Sequence, residues 1–195
     1  AMVGPLGFSD MDPEGMLTWG FDKLGTMATI YNYDYYPRHM EQMGGWAKDN
    51  DYVEYFLPVP DKLPEKYAKI ASLVEKRYNL HVKKLTRKDV FQGGWGRKLF
   101  EIINATYTNL YGFVSLTDRQ IDQYVKMYLP LLDLRMVTLV ENEAEELVAV
   151  GISMASMSEA LQKAKGRLLP FGWFHLLKAL YWRRSKTLDL LLVGV

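Results

Sequence analysis

From residue 61 onward the apolar positions recur with two distinct periods. In "PEKYAKIASLVEKRYNL" the side chains Tyr67, Ile70, Leu73 and Val74 fall on one stripe, with charges elsewhere, which predicts a helix. Pro58, Pro60 and Pro64 break the chain ahead of it and mark a boundary. "LHVKKL" predicts a strand. "RKLFEIINATYTNLYG" repeats apolar residues at helical spacing and ends on Gly112, and "TDRQIDQYVKMYL" opens on Thr117, a residue suited to cap a helix. The clearest hairpin spans Met136 to Ala155, two strands rich in Val and Leu around the polar turn "ENEAEE". "MSEALQKAKG" and "FGWFHLLKALYWRR" predict helices. The closing stretch, Thr187 to Val195, is a near-continuous Leu/Val run with one carboxylate, Asp189, and predicts a buried strand.

The first sixty residues pattern less regularly. "AMVGPLGFS" predicts a strand running into a Gly/Pro turn, and "DPEGMLTWGFDKLG" a short helix with Asp12 as cap and Pro13 at its first position. "TMATIYN" predicts a second strand, "YYPRHMEQMG" a short helix closed by Gly44 and Gly45, and Asp51 to Val59 a strand packed on one face. These elements predict an α/β (α+β) fold, a mixed sheet of about six strands with helices covering its apolar faces. The organisation expected is residues 1–60 as one part, 61–78 as a connecting helix and 79–195 as a second part.

Composition fixes the class. With 195 residues, 49% hydrophobic and 13% aromatic, the chain has enough apolar material for one good core or two small ones. No cysteine is present, which excludes disulfides and thiolate metal sites and fits a reducing compartment, so a cytoplasmic location is expected. No charge-free apolar stretch approaches the ~20 residues that span a bilayer, so no membrane partner is expected. The net charge is +1, yet residues 1–60 carry 3 basic and 9 acidic residues while residues 156–195 carry 7 basic and 2 acidic. That asymmetry fits either an anionic ligand near the C-terminal part or two complementary ends packed together. Nothing in the pattern points to nucleic acid.

Several short motifs invite a chemical reading. Asp10, Asp12 and Glu14 alternate ahead of Gly15 as in a calcium loop, but position 12 of that loop is Phe21 rather than a bidentate Glu, which leaves Asp10 and Asp12 as turn and cap residues. "FQGGWGRK" sets three glycines ahead of a helix beside Arg97 and Lys98, where backbone N–H groups could hold a phosphate. It lacks the Gly-Lys-Ser/Thr ending of a phosphate-binding loop, and a flexible start to a helix explains it as well. His39, His81 and His175 share no metal-ligand spacing, so no metal site is expected. The aromatic helix around Phe171, Phe174, Leu177 and Tyr181 suits either a membrane surface or, more commonly, the cover of a sheet or an apolar pocket.

From Asn79 the order strand, helix, helix, strand, hairpin turn, strand and final apolar strand resembles the N-terminal half of the GNAT (acyl-CoA N-acyltransferase) fold. The opening stretch resembles the second half of the same fold: "AMVGPLGF" stands for its fourth strand, "TMATIYN" for the fifth, "YYPRHMEQMGGW" for the following helix and "DYVEYFLPV" for the sixth. "GPLGF-DMDPEGML" and "LQKAKGRL-PFG" are similar to phrases in bacterial GNAT-like proteins of unassigned function. The whole resembles the middle of a tandem-GNAT protein, cut at both ends.

The resemblance implies an acyl-CoA, acetyl-CoA or another, as donor in the parent protein, with none bound to this chain, and a small-molecule amine as acceptor. In the family the strand resembling "TLDLLLVGV" precedes a loop, R/Q-x-x-G-x-G/A, whose amides hold the pyrophosphate of CoA; "SDMDPEGML" in the first half lacks it. A backbone amide within Leu191, Leu192, Val193 and Gly194 would polarise the thioester carbonyl, and Asp189, the only carboxylate on that strand, is the candidate base; an Asp paired with a helix or lying near a turn is the alternative. Asn32 fits the family's asparagine, whereas the general-acid tyrosine position is held by Met40 or Glu41. The chain is therefore expected to be inactive alone. Open strand edges predict a homodimer as one way to pair them. A non-enzymatic module that binds a partner through the aromatic helix, and a phosphate binder built on Gly93 to Lys98, are the rival readings.

Overall fold

The computed structural model describes residues 2–9, 11–182 and 185–195, the side chain of Leu131 excepted. In chain order its elements are α1 (Tyr35–Met43), α2 (Glu65–Tyr78), β1 (His81–Lys83), α3 (Arg87–Phe91), α4 (Trp95–Thr106), α5 (Asp118–Tyr128), β2 (Val137–Glu141), β3 (Leu147–Ala155), α6 (Ser158–Ala164), α7 (Gly172–Leu177, continued by a π-helical turn Lys178–Trp182) and β4 (Leu188–Gly194). The four strands form one sheet in the order β1-β2-β3-β4. β1 runs antiparallel to β2, with Val82 opposite Val140, and β2 antiparallel to β3, with Leu139 opposite Val150. The N–H of Ser156, just past β3, donates to the carbonyl of Thr187, just before β4, so these strands also run antiparallel. The fold is α+β.

The chain divides into two units. One comprises Asp51–Thr108, Leu116–Ile152 and Leu192–Val195. Its core is built where the two periods coincide. β2 buries Val137, Leu139 and Glu141 while exposing Thr138, and the first part of β3 buries Val150 and Ile152. α4 contributes Leu99, Phe100 and Ile103 to the core and α5 contributes Ile121, all nearly inaccessible. A Cβ on Gly96 would lie 3.0 Å from side-chain carbons of Leu129 and Val125, so α4 and α5 approach closely there because the residue is glycine. Thr117 caps α5 as expected: its hydroxyl accepts from the Gln120 N–H while the Gln120 side chain accepts from the Thr117 N–H. Asn104 on α4 accepts from the Leu116 N–H and donates to the Leu116 carbonyl, both at 2.8 Å, which ties the chain leaving this helix back onto it.

The other unit comprises Ala1–Asn50, Asn109–Ser115 and Ser153–Leu191. Here side chains do the work that backbone ladders do elsewhere. Asp12 accepts from the Phe8 and Ser9 N–H groups, and Asn32 brackets the backbone of Leu17, accepting from its N–H at 2.7 Å and donating to its carbonyl at 3.1 Å. The Tyr111 hydroxyl donates to Asp49. Ser9, Met154, Ser156, Ala160, Gly172 and Asp189 are among its buried residues.

The sheet is smaller than the periodicities predict. The stretches 2–9, 26–32 and 51–59 form no strand, and Asp12 closes a turn rather than capping a helix. Residues 51–59 alternate correctly, but each is exposed, and a strand without a neighbour has no ladder to hold it. The stripe of α2 is also exposed: Tyr67, Ile70, Leu73 and Val74 meet no cover among the described residues.

Candidate functional site

β4 carries the residues expected to matter, and its two halves do different things. Asp189, its second residue, is 5% exposed. Burial pushes its carboxyl above the ordinary 3.8, because the charged form is the one that loses hydration, while a hydrogen bond from the Ser156 hydroxyl pulls the other way. One carboxylate oxygen, Oδ2, has no hydrogen-bond partner among the described residues. Ser156 is itself buried, is anchored through its N–H to Thr187, and lies 3.2 Å from the Ser158 hydroxyl. Asp189 therefore heads a short chain of hydroxyls, and among the described residues it forms no ion pair with a basic side chain. A carboxyl held this way is a stronger proton acceptor than an ordinary aspartate.

Leu191 is half-buried and ends the part of the strand that belongs to the unit containing Ala1–Asn50. In the other unit Leu192 is half-buried, Val193 exposed and Gly194 buried. The Val193 N–H donates to the Tyr107 hydroxyl at 3.1 Å. A Cβ on Gly194 would stand 2.6 Å from Thr106 Oγ1 and 3.4 Å from a methyl of Val150, so the backbone of β4 passes close against the end of α4. β4 is an edge strand in the sheet order, and an extended chain can lie along such an edge using backbone groups as a further strand would.

The remaining candidates separate. Arg97 is taken by two carboxylates, Asp118 at 2.7 Å and Asp122 at 2.5 Å, and Lys98 lies 4.4 Å over the Trp95 ring. Gly94 adopts a left-handed φ of 75° at the start of α4, the conformation this tight turn demands. "FQGGWGRK" is thus the start of a helix with its cations already engaged. Among the described residues no group of His, Asp and Glu is arranged to hold a metal ion.

Three features escape a reading of the sequence alone. Tyr107 and Ser156 are ordinary residues whose roles come from partners 86 and about 30 positions away, and no local pattern flags them. The third is a false lead: Gln42–Ala47 has the Q-x-x-G-x-A spacing of a pyrophosphate loop. It sits at the C-terminal end of α1, where carbonyls rather than N–H groups point outward, and no helix begins after it, so it offers an anion nothing.

No protein-family model matches the chain. No solved structure matches it either. Among curated proteins it is similar to a bacterial ceramide synthase of Caulobacter vibrioides (strain NA1000 / CB15N), 28% identical over 204 residues that cover 99% of this chain and 49% of that protein. The chain spans about half the length of the curated relative it matches.

Proposed function

We propose that the chain is part of an acyl-CoA-dependent N-acyltransferase whose acceptor is the amine of a long-chain amino alcohol. The observation that carries this reading is the similarity to a bacterial ceramide synthase along 99% of the chain, since a ceramide is the N-acyl derivative of such an alcohol. The site on β4 supports it from the side of chemistry. The amine nitrogen attacks the thioester carbonyl carbon, the oxygen takes up negative charge against a backbone N–H of β4, the carbon–sulfur bond breaks, and the thiolate leaves. The proton lost by the amine goes to the Asp189 carboxylate, which Ser156 orients. Leu191, Leu192 and Gly194 line the acyl donor's arm, while Tyr107 holds the amide of Val193.

The test is incubation of the full-length protein with a long-chain acyl-CoA and sphinganine, following free thiol and the N-acyl product by mass spectrometry. Amide product is expected, falling by about 10²–10⁴ in kcat/KM for Asp189→Asn. Acylation of short polar amines with no product from sphinganine would overturn the acceptor assignment, and full activity in Asp189→Asn would overturn the base.

A further inference from the structure

The segment from α6 through the π-helical turn carries two features the reaction does not use. Lys163, Lys165, Arg167, Leu169, Phe171 and His175 line one concavity of about 520 Å³, so cationic and apolar side chains share a single lining. Beside it the chain holds bulky apolar groups out in solvent: Leu169 is 80% exposed, Phe171 73% and Trp182 67%, and Phe174 is met edge-on by both Trp173 and Trp182.

Charge decides what such a face suits. Residues 156–195 hold 7 basic and 2 acidic residues. Of the two acids, Glu159 is engaged by Lys163 at 3.2 Å and Asp189 is buried. Among the described residues neither Lys165 nor Arg167 belongs to an ion pair, and both are exposed. A protein partner for this face would need acids facing the cations and an apolar pocket facing Leu169 and Phe171. An anionic bilayer supplies both at once, with phosphates at the surface and acyl chains immediately beneath, and aromatic side chains prefer that boundary.

We propose that residues 163–182 form an interfacial element that seats this face on an anionic lipid bilayer, Lys165 and Arg167 on the phosphates and Leu169, Phe171 and Trp182 among the upper acyl carbons. No helix among the described residues is long and apolar enough to cross a membrane, so the element lies on the surface and does not span it. This departs from the expectation of no membrane contact, which rests on the absence of a spanning stretch and says nothing of a surface helix. The inference does not depend on the reaction proposed above, because it is read by binding.

The test is co-sedimentation of the full-length protein with phosphatidylcholine vesicles and with vesicles of roughly equal phosphatidylcholine and phosphatidylglycerol. Binding to the anionic vesicles alone is expected, weakening as salt is raised to about 0.5 M. Each surface cation contributes about a fivefold factor, so Lys165→Glu with Arg167→Glu lowers the partition coefficient more than tenfold. Leu169→Asp with Phe171→Asp does the same at unchanged circular dichroism, since both side chains stand in solvent and their replacement leaves the core intact. Equal binding to neutral and anionic vesicles, no binding to either, or binding untouched by both double variants would each overturn the proposal. So would light scattering that shows the Leu169→Asp and Phe171→Asp protein to be monomeric where the parent is dimeric, with no vesicle binding by the parent, because the face would then join two copies.

Discussion

The Tyr107 hydroxyl accepts the Val193 N–H at 3.1 Å across 86 positions of sequence, joining the end of α4 to the end of the edge strand β4. Tyr107→Phe removes the acceptor and leaves the ring in place. The hydrogen bond is partly open to water, so the expected loss is small, about 0.5–1 kcal/mol by chemical denaturation. The sharper readout is local: amide exchange at Val193 quickens while that at Leu139 in the core does not. Unchanged protection at Val193 would show that this contact does not hold the strand.

Gly194→Ala probes the same junction by volume. The added methyl would stand 2.6 Å from Thr106 Oγ1, a short side chain whose hydroxyl already donates to the Ile102 carbonyl at 2.8 Å. Neither β4 nor α4 can yield cheaply, and a loss of about 1–3 kcal/mol is expected. Thr106→Ala opens the space, so the double variant should recover much of that loss, a coupling that thermal melts of the four proteins measure directly. Strictly additive losses would place the strain elsewhere.

Asn104 makes a different kind of prediction, because its amide pairs with Leu116 through both its donor and its acceptor. Asn104→Asp keeps the acceptor and sets a carboxylate against the Leu116 carbonyl; Asn104→Ala removes both bonds. Each lost bond with its orphaned backbone group costs about 1 kcal/mol. We expect Asn104→Ala to lose about 2 kcal/mol, with faster exchange at the Leu116 amide.

These contacts also show which parts of the molecule are legible in sequence. The hairpin from Met136 to Ala155, the helix over "RKLFEIINATYTNLYG", which ends at Thr106 rather than at Gly112, and the Thr117 cap are visible because their information is local: a period, a turn, a capping box. Asp51 to Val59 carries an equally clean alternation, yet forms no strand, because the period describes a face and supplies no neighbour to pair with. The same limit applies to α2, whose stripe is correct and whose cover is missing among the described residues. Asp189 stands out as the lone acid in an apolar run, but its burial and its link to Ser156 arise from the antiparallel register of β3 and β4, which no pattern along the chain encodes.

The titration of Asp189 carries the last prediction. Its folded pKa is raised by burial, so between the ordinary 3.8 and that raised value the folded state keeps a proton that the unfolded state has released. Stability therefore falls as pH rises through this window: the favourable contribution is complete below about 3.8 and is lost once pH passes the folded value. Asp189→Asn holds the side chain in an uncharged form at every pH and keeps an oxygen for the Ser156 hydroxyl. The variant should be more stable than the parent at pH 7, by on the order of 1 kcal/mol for relief of a buried charge with an unpartnered oxygen. The gap should close as pH is lowered and vanish below about 3.8. Thermal melts of both proteins from pH 3 to pH 8 measure it. A variant that is less stable than the parent at pH 7, by a margin that grows with pH, would mean that Asp189 is ionised in the fold and held there by a partner stronger than Ser156.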